Sequence, residues 1–289
     1  MGGIWLNGLD GYASLVDVAR AAGLTVDPYP DWQWRSRSSG GFDRLLGIVC
    51  HHTACGPTST YEGCRSYMVT MTDGPCANML LSRPVPGRGV VLSVHCGGAS
   101  NHAGKGGPAA CSGGTVPLDQ GNQNLIGIEV CNAGTGESWP GEQLDAYERL
   151  VAALVGAYDL TFADVMLHAT WAPTRKIDPA GPGPGAYCRA PAGTWDLGQW
   201  RDACAAAGTA PVDEEDDMQW LYRDSRYSNV FVRGAGPATP VTTEELQQGG
   251  VGAKLGAVIV AAHGPTLEAI TSQAWGCTVA EAVERRLLV

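Results

Sequence analysis

Apolar residues in this chain fall into short continuous runs and a few stretches with helical spacing, separated by Gly- and Pro-rich sequence. Residues 12–22, apolar at Tyr12, Leu15, Val16, Val18, Ala19 and Ala22, predict a short amphipathic helix. Pro28, Pro30 and the Ser/Gly cluster at 36–41 then mark loop. The run Leu-Leu-Gly-Ile-Val-Cys at 45–50 is bounded by turn-rich sequence, as a buried strand would be, and it delivers His51 and His52 at its end. Residues 78–81 and 90–94 read as two further strands, with Pro84, Pro86 and Gly87 in the turn between them. Residues 125–130, Leu-Ile-Gly-Ile-Glu-Val, form the clearest core strand. Between them, residues 97–123 are rich in Gly, Asn and Ser and predict a long irregular segment, a length that points to function or disorder.

From 143 to 158 the positions Leu144, Tyr147, Leu150, Val151, Leu154, Val155 and Tyr158 keep a helical period, and Pro140 suits the first turn. Val165-Met166-Leu167 leads into His168, and the Pro/Gly-rich residues 178–187 exclude regular structure. A last amphipathic piece spans 195–207. The like-charge run Asp213-Glu214-Glu215-Asp216-Asp217 then reads as a tether. Beyond it come two β-like pieces at 220–222 and 230–232, an apolar run at 255–262 and a helical tail at 279–288. This organisation predicts an α/β (α+β) domain over residues 1–208 with its core at 45–207. An acidic linker at 209–217 and a small C-terminal α+β unit at 218–289 follow, the latter either a targeting unit or a contribution to stability or solubility, since no motif in it carries chemistry.

Composition narrows the function. The length of 289 residues suits two domains, and 40 glycines call for long loops. A net charge of -10, with the few basic residues scattered, argues against nucleic acid as a partner. No stretch approaches the ~20 apolar residues of a membrane span. The N-terminal residues lack a basic region followed by an apolar one, so the expectation is synthesis in a cytoplasm without a signal peptide. A substrate outside the cell would then require something else to release the protein. Ten cysteines contain no C-x-x-C pair; Cys50 and Cys131 end apolar runs and read as buried thiols. Cys55 and Cys64 flank an expected loop and are compatible with a bridge in an oxidising compartment, but sequence does not fix connectivity. Oligomeric state leaves no trace.

A hydrolytic zinc site needs three protein ligands and one open position, and imidazole and carboxylate are suitable donors. His51, His168 and Asp178 stand at strand ends or just beyond them. Each also has a plainer reading: a histidine at a strand end is compatible with a hydrogen-bonded core residue. Glu129 within an apolar run is either a functional carboxylate or half of a structural ion pair, since an unpaired buried carboxylate is costly.

Four ordered segments carry a resemblance. Gly47-Ile48-Val49-Cys50-His51-His52-Thr53-Ala54 resembles the strand-plus-His-His-Thr element of the type 2 N-acetylmuramoyl-L-alanine amidases and peptidoglycan recognition proteins. Asn101-His102-Ala103-Gly104-Lys105-Gly106, Ile126-Gly127-Ile128-Glu129, and the segment from His168 through Arg175-Lys176-Ile177-Asp178-Pro179 are similar to later motifs of that family, with the flavour of actinobacteriophage endolysins. The resemblance implies a central mixed β-sheet flanked by helices, Zn2+ held by His51, His168 and Asp178, Glu129 as the acid/base, and Lys176 beside the oxyanion. It implies peptidoglycan as substrate, cut between N-acetylmuramic acid and L-alanine. His102, Asn78 and Trp171 are candidates for lining the substrate groove, with loop packing as the alternative for His102. Where some relatives place a catalytic tyrosine, Ala77-Asn78 stand here, which puts more weight on Glu129. The competing readings are a module that grips peptidoglycan without cutting it and a structural virion component. Family members that only bind lack the third ligand, so Asp178 favours catalysis.

Overall fold

The computed structural model describes residues 3–9, 11–38, 40–70 and 74–209, together with the backbone of three short strands further on. The chain divides into two compact units, Met1–Ala210 and Pro211–Val289. In chain order the first contains α1 (Leu15–Ala21), β1 (Thr25–Pro28), β2 (Gly47–Cys50), α2 (Tyr61–Thr70), β3 (Met79–Leu81), β4 (Val91–Val94), β5 (Ala109–Cys111) and β6 (Gly114–Val116). There follow a single turn α3 (Gly121–Asn124), β7 (Leu125–Val130), α4 (Gly141–Ala157), β8 (Val165–Leu167), a single turn α5 (His168–Trp171) and α6 (Leu197–Thr209).

Six strands make one mixed sheet in the order β1-β4-β3-β7-β2-β8. Only the β3–β4 pair is antiparallel within it. The sheet with its flanking helices is the architecture expected from the sequence. On one face Ile48, Cys50, Ile126, Ile128, Val165 and Leu167 pack against buried residues of α1, α4 and α6. The α4 side chains Leu144, Tyr147, Leu150, Val151 and Leu154 all face this core, and each buried aliphatic contributes roughly 1.5–3 kcal/mol.

Register is what builds the site. Cys50 pairs with Ile128 on one side and with Leu167 on the other. The next residues, His51, Glu129 and His168, therefore come out side by side. Because side chains alternate along a strand, all three point to the second face, away from α4. That face carries Val49, Leu125 and Met166 in a smaller cluster with Ala103, Trp171 and Ala172.

Three features were not anticipated. Edge strand β1 has no fully buried residue, so it left no hydrophobic signal. Helix α2 buries Tyr61, Cys64, Met68 and Val69 but carries Gly63 in its interior, which weakens a helical pattern. The segment 97–123, expected to be irregular, holds the β5–β6 hairpin and α3. In the second unit, β9 (Leu221–Arg223), β10 (Val230–Val232) and β11 (Thr239–Val241) form an antiparallel sheet with β10 in the middle. The first two lie at or within one residue of the expected pieces; the third was not foreseen. The acidic run at 213–217, the apolar run at 255–262 and the tail at 279–288 lie outside the described residues. Among the described residues, no helix is long and apolar enough to cross a membrane.

Candidate metal centre and active site

His51, His168 and Asp178 meet at the rim of the second face. The Nδ1 atoms of His51 and His168 are 2.8 Å apart. Asp178 Oδ2 lies 2.9 Å from His168 Nδ1 and 3.3 Å from His51 Nδ1. All three residues are buried. A backbone bond from Ala169 N to Asp178 O, 2.8 Å, folds the segment after His168 back so that the carboxylate reaches its place.

The outer ring nitrogens decide which way the lone pairs face. His168 Nε2 lies 3.0 Å from the Ala103 carbonyl, which can only accept, so Nε2 carries the hydrogen and Nδ1 is left as a lone pair. His102 Nε2 likewise donates to Leu125 O at 3.0 Å, which makes His102 Nδ1 an acceptor. His51 Nε2, 3.0 Å from that atom, must donate to it, and His51 Nδ1 is again a lone pair. Two imidazole lone pairs and a carboxylate oxygen thus converge on one point. A tetrahedral zinc with bonds of roughly 2.0–2.1 Å spaces its ligand atoms about 3.3 Å apart, so the donor set fits such an ion with small outward shifts.

The electrostatics agree with a site built for a cation. Burial pushes the His51 imidazole down to about 4, helped by the His168 charge and opposed by Asp178. Burial alone would raise the Asp178 carboxyl, but the adjoining His168 and His51 imidazoles outweigh it through their positive charge when protonated and hold the group well below the usual carboxylate range. Glu129 is different. Burial, with the Asp178 charge beside it, raises its carboxyl well above the usual range, and the Lys176 charge only partly opposes this. Its Oε2 is sealed from solvent and has no hydrogen-bond partner. A buried carboxylate oxygen next to a cluster of metal-competent ligands is suited to proton chemistry. Lys176 is half-buried in the loop between His168 and Asp178.

Three candidate groove residues do not fit that role. His102 is buried behind His51 and packs on Gly127, where an added Cβ would stand 2.3 Å from its ring. Its loop-packing alternative is what the geometry favours. Asn78 is fully buried: Nδ2 donates to Gly98 O at 2.8 Å, and Oδ1 accepts from Ser100 Oγ at 2.9 Å and Gly127 N at 3.0 Å. It ties β7 to the loop after β4. Trp171 is also buried, its indole beneath the glycines at 106, 107 and 121. His52 points away from the cluster and accepts from Ala180 N at 3.2 Å. Cys55 and Cys64 are free thiols. Sequence reading missed Tyr147, whose hydroxyl accepts from His51 N at 3.0 Å through the sheet from α4. Only its place in a helical apolar stripe was visible.

Fold and site together define a hydrolase layout: three convergent metal-competent ligands, two at the carboxyl ends of parallel strands and the third from the loop after α5, with a lone carboxylate beside them. Residues 42–181, just under half of the chain, match the family model described as N-acetylmuramoyl-L-alanine amidase. No curated protein matches the chain closely enough to count as a relative. Among solved structures, the chain is similar to the PlyG catalytic domain, with a TM-score of 0.42 at 14% identity, covering 66% of this chain and 99% of that one. It is similar to AmpDh3 from Pseudomonas aeruginosa, with a TM-score of 0.43 at 18% identity, covering 88% and 90%. The catalytic domain of XlyA gives a TM-score of 0.37 at 20% identity, covering 54% and 89%. At these values the family match carries the assignment.

Proposed function

We propose that the first unit is a zinc-dependent N-acetylmuramoyl-L-alanine amidase that hydrolyses the amide between the lactyl group of N-acetylmuramic acid and L-alanine of the stem peptide. The observation that supports this best is the convergence of His51 Nδ1, His168 Nδ1 and Asp178 Oδ2 within 3.3 Å, beside the unpartnered Glu129 Oε2. When bound, zinc would supply Lewis acidity, polarising the scissile carbonyl and lowering the pKa of water to roughly 7.

The chain's own residues do the rest. Glu129 takes the proton from the attacking water and passes it to the leaving nitrogen, so the C–N bond breaks to a carboxylate on the lactyl side and a free amine on alanine. A carboxyl pKa raised by burial makes the group a stronger base for the proton it takes from water. The Lys176 ammonium opposes the charge that gathers on the carbonyl oxygen. His102 and the Ala103 carbonyl keep both imidazoles in the ligating tautomer.

An endolysin role, with synthesis in a host cytoplasm and action on the wall after release, belongs to the same reading, as does wall targeting by residues 218–289. Purified full-length protein should contain zinc and release L-alanine amino termini from isolated sacculi. Wall binding with zinc present and no new amino groups would reduce the protein to a binding module. Protein without zinc that leaves sacculi intact would fit a virion component instead. Loss of wall affinity on truncation after Thr209 tests the targeting role.

A further inference from the structure

Three thiols meet on the second face of the sheet, next to the His–Asp cluster. Cys55 follows the His51-His52-Thr53 segment, Cys64 lies in the first turns of α2, and Cys131 follows β7, two residues past Glu129. Their Sγ atoms all lie within 4.8 Å of one another. Cys64 and Cys131 are buried with Met68 and Leu80, and Cys55 is half-buried against them. Thr53 Oγ1 donates to Cys55 Sγ at 2.8 Å, and Arg83 Nη1 donates to it at 3.3 Å. Arg83 is itself fixed by paired bonds to Glu137 at 2.6 and 2.8 Å and by the Cys55 carbonyl at 3.0 Å.

This is more than a disulfide needs. A bridge engages two sulfurs and strands the third, whereas here all three converge from separate elements. Tetrahedral thiolate zinc has bonds of about 2.3 Å, which places its sulfurs roughly 3.8 Å apart, inside the observed span. Three thiolates on a divalent ion leave one net negative charge, and the Arg83 guanidinium stands against the sulfur that carries it outward. We propose that Cys55, Cys64 and Cys131 form a second metal site, for a thiophilic cation of the zinc type, separate from the His–Asp centre. Binding clips the loop after His51 and the start of α2 to the end of β7, and so braces the two strand ends that present His51 and Glu129. The site does not depend on the amidase reading.

The test uses full-length Asp178→Ala protein, in which the His–Asp centre is disabled, kept reduced and titrated with cobalt(II). The expected result is one cobalt per chain with the intense near-ultraviolet band of thiolate-to-cobalt charge transfer, abolished when Cys64→Ser or Cys131→Ser is added and retained with Cys188→Ser. As a check that needs no substitution in the trio, a thiol-reactive mercurial should release bound zinc from Asp178→Ala. Absence of the band in Asp178→Ala, or an intact mass two hydrogens light that maps to a bridge within the trio after preparation without reductant, overturns the proposal.

Discussion

His51 and His102 are joined through their rings, Nε2 to Nδ1 at 3.0 Å, and His102 passes the bond on to the Leu125 carbonyl, also at 3.0 Å. A carbonyl on β7 thereby fixes which nitrogen of His51 is free to ligate. Partners of this kind typically change metal affinity 10–100-fold. His102→Ala should weaken zinc by about that factor in a chelator competition, with activity restored at high zinc. Unchanged affinity would remove His102 from its positioning role.

Gly127 makes the His102 ring possible. A Cβ there would sit 2.3 Å from His102 Cγ within a fully packed interior. Gly127→Ala should therefore cost about 1–3 kcal/mol from overpacking, read as a lower Tm, and should loosen zinc as His102→Ala does. A variant as stable as the parent would contradict the packing described.

Glu129 and Asp178 should separate cleanly. Glu129→Gln is expected to keep its metal and lose roughly 10²–10⁴-fold in turnover, the usual worth of a general acid–base. Asp178→Ala should lose the metal of the His–Asp centre and activity together. Metal analysis alongside sacculus hydrolysis checks both, and a fully active Glu129→Gln would sink the proton-shuttle assignment.

Acid should destabilise the fold through His95. It is fully buried, and burial together with the charges of Arg65 and Arg35 pushes it down to about 3. A histidine depressed in the folded state adds stability that is present above its unfolded value of about 6.5 and lost as pH falls toward the folded value, at about 1.4 kcal/mol per pH unit at most. Denaturant midpoints should fall between pH 6.5 and 4, and the fall should be shallower in His95→Leu. Equal slopes in the two proteins would point to other groups.

What could be seen in the sequence follows from how much apolar area each element buries. β2, β7, β8 and α4 lie in the core and wrote themselves as apolar runs or a 3.6-residue stripe, and with them came His51, Glu129 and His168. β1 is an edge strand, and α2 buries only one side around an interior glycine, so neither left such a mark. The roles of His102, Asn78 and Tyr147 depend on which atoms face one another across the sheet. Sequence offered only their presence in a motif, a strand and a helical stripe. The thiol trio was invisible for the same reason: Cys55 and Cys64 were read against each other, and Cys131 reaches them only through the register of β7.

The parallel run of β7, β2 and β8 has one more consequence. Their carboxyl ends open on a single rim, while the hydrogen-bonded ladder that sets His51, Glu129 and His168 abreast lies wholly behind it. Loops beyond the rim can be lengthened or redrawn to suit a different glycan or peptide without disturbing the ladder. Specificity and chemistry are thus separable parts, and swapping those loops between relatives should exchange wall preference while leaving the reacting groups in place.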